Sequence, residues 1–220
     1  MKKSIRLNSN VVGDILRSRT GREAAPQKFQ GPLPDPSVAV VVDGKLIDSA
    51  ERAGLHERTL HYTLATLNKG GLALVAFTDS SILDREFLNY FEPRPEPNNL
   101  IEAALRSAGL DGNFHTTARA ELQGFWMWVD VDFRDDIKYV PQLWAHPDLR
   151  QFDDGRDEGD WNDVISSVST RNAPTRVWAD INFEGASLTF GSYEDVANLH
   201  LIGWGDRISS IMVGPRPGIG

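Results

Sequence analysis

The sequence predicts an α+β protein: a small mixed α/β unit over residues 1–120, a duplicated β-domain over 121–214, and a short tail, 215–220. Three observations predict it. The stretch WNDVISSV, Trp161 to Val168, returns as WGDRISSI, Trp204 to Ile211, with starts 43 residues apart. All six tryptophans lie beyond residue 125. The charge changes at the same place, because residues 121–170 carry four Lys and Arg against twelve Asp and Glu, whereas residues 1–120 are close to balance. Similar segments at a fixed offset mark an internal duplication. A composition break marks a boundary between units, here near Ala120, so a fragment beginning near Glu121 is expected to fold alone.

In the first unit, GPLPDPS from Gly31 reads as an irregular lead-in, since closely spaced Pro and Gly remove donors and restrict the backbone. VAVVVDGKLID from Val38 reads as a strand, a tight Asp43–Gly44 turn and a returning strand. From Glu57 to Lys69, Leu60, Leu64 and Leu67 fall on one helical face and Gly70–Gly71 stops the run, which predicts a helix. LALVAFTDS then reads as a buried strand, SILDREFLNYF as a short helix capped by Asp79, Ser80 or Ser81, and NLIEAALRSAGLDG as a helix closed near Gly109.

Composition narrows the chemistry. Cysteine is absent, which removes disulfides, thiolate catalysis and cysteine-ligated metals. No run of about 18 apolar residues occurs, and the N-terminus alternates too early for a signal peptide, so a soluble, cytoplasmic protein is expected, with no membrane partner. Clustered carboxylates repel phosphates and attract cations, which argues against a nucleic-acid partner and for a divalent ion. HERTLH, His56 to His61, resembles the zinc-protease pattern HExxH but is one residue too long. Histidines five apart are separated by about 140° around a helix and cannot share that site. His115 has no nucleophile or orienting carboxylate at informative spacing. No acid, base and nucleophile set emerges, so no enzyme is expected; a hydrolase centred on the first unit is the least favoured alternative.

The β-domain repeats a second pattern. Trp128 is followed five residues later by Phe133, and Trp178 by Phe183. Such an aromatic can cover a folded-back hairpin while the Phe enters the core, and Gly185 permits a positive φ there. From Phe133 to Ser166 is 33 residues and from Phe183 to Ser209 is 26, so the first copy is seven residues longer, the surplus falling within RQFDDGRDEG.

On these residues, about Phe125 to Val213 resembles a two-motif βγ-crystallin domain. That family opens each motif on an aromatic, four residues, Phe, x and Gly, and closes it on Asn/Asp–Asn/Asp–x–x–Ser/Thr–Ser. NDVISS, Asn162 to Ser167, matches the closing pattern in full, and GDRISS, Gly205 to Ser210, matches it in part. The resemblance implies two Greek-key motifs packed as a β-sandwich, with two calcium sites near one end. The positions it carries over are Asp163, the Val164 carbonyl and Ser166 in the first loop, and Asp206, the Arg207 carbonyl and Ser209 in the second. Where family members often place an acidic side chain in the opening hairpins, this chain has Val129 and Ala179, leaving carbonyls, with Asp130 and Asp180 one place further on. Asp135 stands at the usual glycine of the first opening, Gly205 replaces the first Asn/Asp of the second signature, and Arg207 adds a positive charge. The NDVISS loop is therefore expected to serve the stronger site.

The functional expectation is a noncatalytic, calcium-binding structural or interaction protein whose partner is another protein or a second copy of itself. The alternative is a protein-binding inhibitor or immunity-like module that presents its loops on a rigid β-domain.

Overall fold

The computed structural model describes residues 4–19, 33–91, 100–113, 124–152 and 159–215. His115, the cut at Glu121, most of the acidic run DDGRDEGD and most of the tail lie outside them.

The first unit comprises β1 (Ile5–Arg6), α1 (Ser9–Arg19), β2 (Ala39–Val42), β3 (Lys45–Leu46), β4 (His61–Leu67), β5 (Leu72–Phe77), α2 (Ser80–Asn89), α3 (Leu100–Ser107) and β6 (Gly112–Asn113). The β2–β3 hairpin turns at Asp43 and Gly44, both at positive φ, 49° and 81°, as a two-residue turn between twisted strands requires. Asp79 caps α2 by accepting from the Ser81 backbone N–H at 2.8 Å. α1 carries Val12 and Leu16 on its buried face, with the Asn8 side chain accepting from the Val11 N–H at 3.0 Å.

The helix expected over Glu57–Lys69 is corrected. Residues Glu51–Glu57 form a 3-10 helix, and His61–Leu67 is the strand β4. The reason is two-sided burial. β4 lies between β5 and β12, and His61, Tyr62, Thr63, Leu64 and Ala65 are all buried, so the period-two alternation of a half-exposed strand is erased. Leucines at positions 60, 64 and 67 then mimic a helical spacing. Gly70 and Gly71, at φ 87° and 97°, turn the β4–β5 hairpin rather than cap a helix.

The second half comprises β7 (Gly124–Trp128), β8 (Ile137–Pro141), β9 (Trp144–His146), β10 (Ser167–Arg171), β11 (Thr175–Trp178), β12 (Ser187–Phe190), β13 (Asp195–Val196) and β14 (Ser210–Val213). Its strands fall in two sheets. β13-β10-β7-β8 form one, and β9-β14-β11-β12 run within the other. Each repeat thus sends its third strand, β9 or β13, into the sheet of the other repeat.

The larger sheet continues past this half. β12 pairs in parallel with β4, Ser187 to Thr189 against His61 to Thr63, and β1 pairs with β9. Both edges of that sandwich sheet are therefore paired with strands of the first unit. One apolar cluster likewise runs from Val38, Leu60 and Leu64 through Trp161, Val177, Leu188 and Trp204. Sheet and core both cross the sequence break at 120/121.

Candidate metal centre

The two repeats share the contacts of their folded-back hairpins. In the first, the Ser167 hydroxyl donates to the Asp130 carbonyl at 2.6 Å and accepts from the Phe133 N–H at 3.1 Å. In the second, Ser210 does the same with Asp180 at 2.7 Å and Phe183 at 3.1 Å. Trp128 meets Phe133 edge-on at 5.1 Å and Trp178 meets Phe183 at 5.3 Å. The second serine of each pair is thus a structural clamp on the folded-back hairpin.

Burial separates the two hairpins. Trp178 and Phe183 are enclosed by Leu7, Val12, Leu16 and Phe87 of the first unit. Phe133 remains 38% exposed, so the expectation that both phenylalanines enter the core holds only for Phe183. Asp135 adopts φ 65° where its counterpart Gly185 has 74°, so the first hairpin keeps its fold-back by placing an aspartate in the left-handed region. At Gly185 a Cβ would lie 2.3 Å from the Asp180 carboxylate, which packs directly over the glycine.

The first serine of each pair behaves differently. Ser166 Oγ donates to Asp206 Oδ1 at 3.0 Å, and Ser209 Oγ donates to Asp163 Oδ1 at 3.1 Å. Backbone bonds reinforce the exchange: the Asp163 N–H reaches the Ile208 carbonyl at 3.2 Å and the Asp206 N–H reaches the Ile165 carbonyl at 3.0 Å. Both aspartates sit at φ 55°. Each loop therefore offers its serine to the carboxylate of the other loop, so Asp163 and Ser166 of one signature face different partners.

Electrostatics distinguish the pairs. Asp163 is the weakest of the carboxylate influences that raise the Arg150 and Arg207 guanidiniums. Burial pushes the Arg207 guanidinium below its ordinary value, with Tyr62, Asp180 and Asp163 opposing that shift. Its Nη1 donates to the Gly203 carbonyl at 2.9 Å and its guanidinium lies 5.0 Å from the Trp204 ring centre. Burial raises the Asp180 carboxyl, with Glu184 adding to the shift and Arg207 opposing it. Asn162 Nδ2 donates to Asp163 Oδ2 at 2.7 Å, so the asparagine orients the loop carboxylate. Val129 and Ala179 anchor their hairpins through N–H bonds to the Asp136 and Ala186 carbonyls and are partly buried against the core.

At the Asp206–Ser166 pair a residue passed over in the sequence takes part. His200 Nε2 lies 3.2 Å from Ser166 Oγ and 3.9 Å from Asp206 Oδ2. It also explains Gly205: a Cβ there would stand 2.2 Å from His200 Nδ1, so the imidazole occupies the space of the missing Asn/Asp side chain. The signal was present in the repeats. Asn198-Leu199-His200 corresponds to Asp148-Leu149-Arg150, since Asp148 and Asn198 cap equivalent turns by accepting from Arg150 and His200.

Elsewhere His61 is buried in β4, with Nδ1 3.0 Å from the Ser187 hydroxyl, and takes no part in these loops. Among the described residues no group of three or more His, Cys, Asp and Glu is placed to hold a metal. No helix among them is long and apolar enough to cross a membrane.

No family model matches the sequence, and no curated protein does either. Solved structures match at a distance, over roughly half the chain. A βγ-crystallin domain from Flavobacterium johnsoniae is 25% identical, over 44% of this chain and 100% of that one, with a TM-score of 0.37. A βγ-crystallin from Ciona intestinalis is 21% identical, over 40% and 96%, with a TM-score of 0.34. An archaeal βγ-crystallin is 18% identical, over 42% and 99%, also at 0.34.

Proposed function

We propose that the second half of the chain is a two-motif Greek-key sandwich of the βγ-crystallin kind, and that the protein is a noncatalytic, calcium-binding structural or interaction protein. The observation that carries this reading is the reciprocal pairing of Ser166 with Asp206 and Ser209 with Asp163. Calcium takes hard oxygen donors at about 2.3–2.6 Å in flexible geometry, and two oxygens this close can both reach one ion. Ser166, Asp206 and the Val164 carbonyl would hold one ion; Ser209, Asp163 and the Arg207 carbonyl would hold the other. The carbonyls of Val129 and Ala179 and the carboxylates of Asp130 and Asp180 are the further donors available on the opening hairpins.

An ion bound only by the folded state stabilises it through linkage, by about 2.7 kcal/mol at a hundredfold excess over the Kd. Because each repeat's third strand sits in the other sheet, an ion between the loops ties the two sheets together. The Ser166–Asp206 pair is the stronger site on this reading, since Arg150 and Arg207 place positive charge near Asp163. An interaction role is supported by Leu33, Leu46 and Leu201, exposed apolar side chains around one open cleft. Calorimetric titration with calcium after chelation tests the proposal. Saturable binding of one or two ions is expected; association without stoichiometry that fades with salt would reduce the loops to a diffuse acidic surface.

A further inference from the structure

The larger sheet ends at β3, the last strand of the path β4-β5-β2-β3. The Ile47 N–H donates to the Val40 carbonyl at 2.8 Å, so residues 40 and 47 form a hydrogen-bonded pair. Antiparallel pairs alternate, which makes Leu46, opposite Val41, a residue whose N–H and C=O point away from β2. Among the described residues neither group has a partner, and the Leu46 side chain is exposed. An edge lysine ordinarily guards such a strand. Here Lys45 is drawn aside into an ion pair with Glu51.

Beside this edge lies an open cleft of about 750 Å³, within the about 300–1,000 Å³ of ligand clefts. Leu33, Pro36 and Leu46 line it from the first unit and Leu201 from the second half. Its walls are tied together. The Asp35 N–H donates to the Leu201 carbonyl at 2.7 Å, and Arg52 donates to the Asp35 carbonyl at 2.9 Å and the Val38 carbonyl at 2.7 Å. The proline-rich lead-in is thus one wall of a preformed cleft, and Arg52 turns its guanidinium to the chain's own carbonyls. Two carboxylates there keep a free oxygen. Asp35 Oδ1 accepts from the Ser37 N–H and hydroxyl at 2.8 and 2.6 Å, and Asp48 Oδ1 accepts from the Ala50 and Glu51 N–H groups at 2.9 and 2.8 Å. In each case Oδ2 has no hydrogen-bond partner among the described residues.

We propose that the β3 edge and this cleft bind an extended segment of another protein in which apolar residues alternate with basic ones. The segment's main chain pairs with the Leu46 N–H and C=O, an apolar side chain enters between Leu33, Leu46 and Leu201, and Lys or Arg meets Asp35 and Asp48. An added strand draws affinity from main-chain bonds and specificity from pockets for alternate side chains. The charge match selects a basic segment over an acidic one. This inference names the partner for the interaction role proposed above and rests on that role, but it uses no ion.

The test is fluorescence anisotropy of a capped hexapeptide alternating valine and lysine, titrated with the full-length protein in excess chelator. Two controls are its valine–glutamate counterpart and a version methylated at every backbone nitrogen. One valine–lysine peptide per chain is expected, with no saturation by either control. Asp35→Asn with Asp48→Asn keeps each Oδ1 acceptor, removes the charge, and should weaken binding about two- to thirtyfold, the range that two exposed ion pairs span. Leu46→Pro removes the free N–H, leaves the β2–β3 bonds, and should abolish binding; Leu46→Ala, which trims the cleft wall, should weaken it even if the proline variant does not fold. No saturation by wild type, equal binding of the lysine and glutamate peptides, or wild-type affinity in the asparagine and Leu46 variants would overturn the proposal. Dimerisation of wild type that Leu46→Ala abolishes would give the edge to a second copy, and peptide binding seen only after deletion of residues 20–32 would give the cleft to the chain's own segment; either overturns it. Calcium titration is read separately. Calcium bound without peptide removes this inference alone, and peptide bound by a protein that takes no calcium keeps it and removes the calcium reading.

Discussion

Arg176 and Asp84 meet across the junction of the two halves, with Nη1 2.5 Å from Oδ1 although they stand 92 positions apart in sequence. The guanidinium is fully buried, also donates to the Ser187 hydroxyl at 3.0 Å, and shares Asp84 with Arg19 at 3.7 Å. Asp84→Ala would strand two cations in the interior, and breaking a buried pair from one side costs about 3–5 kcal/mol. Denaturant unfolding should show that loss. Removing Arg176 as well, as Asp84→Leu with Arg176→Met, should recover part of it, the Arg19 guanidinium still lacking its Asp84 partner.

The same junction decides what a cut at Glu121 does. A 121–220 fragment loses the β4 partner of β12, the β1 partner of β9 and the counter-ion of Arg176. It should show lower stability than the whole chain, and adding residues 1–120 in trans should restore dispersed amide resonances. Full dispersion and undiminished stability of the fragment alone would count against this dependence.

His61 predicts a pH effect with a definite sign. Burial, then Arg176 and Arg19, lower its pKa from 6.5 to about 3. Between these values the unfolded chain binds a proton that the folded chain refuses, so its contribution is intact above pH 6.5 and is lost as pH falls. The slope approaches about 1.36 kcal/mol per pH unit for one proton. Stability measured from pH 7 to 4 should fall less steeply in His61→Gln than in wild type.

Glu194 predicts the opposite sign. Burial raises its carboxyl from 4.5 to about 8, against a weaker lowering by the Gly191 backbone bond. The folded state therefore keeps a proton that the unfolded chain releases, and stability is lost as pH rises from 4.5 through 8. Glu194→Gln should raise the Tm relative to wild type more at pH 8.5 than at pH 5. An equal change at both pH values would contradict the assignment.

Gly205 and His200 should behave as one unit. Gly205→Asn alone forces the ring aside, whereas His200→Ala removes the three atoms that its Cβ would meet first. A double-mutant cycle on unfolding should give a coupling energy above about 0.5 kcal/mol, as expected for side chains in contact.

What was legible in the sequence was what repeats or obeys a local rule. The Ser–Ser tails, the Trp-to-Phe spacing, the Asp79 cap and the Asp43–Gly44 turn each have a short-range cause. β4 was misread because burial on both faces erases alternation and leaves leucines at a helical interval. α1 was passed over although Asn8 and the Val12–Leu16 spacing mark it. The joins β12–β4 and Arg176–Asp84 pair residues about 90 to 126 positions apart and leave no local mark. The site was half legible. Asp163, Ser166, Asp206 and Ser209 were recognisable by motif, but the crossing of the pairs and the place of His200 follow only from how the loops face each other.

The central claim is that the crossed serine–aspartate pairs bind calcium, and calcium calorimetry on wild type, Ser166→Ala and Ser209→Ala tests it most directly. Each substitution removes one hydroxyl oxygen without opening a large cavity, whereas Ser167→Ala would instead loosen the hairpin clamp. Wild type should bind one or two ions, with Ser166→Ala weakening the tighter site and Ser209→Ala the looser one. Calcium affinities identical in all three proteins, or no calcium bound by wild type after chelation, would contradict it and leave the duplication as shared architecture alone.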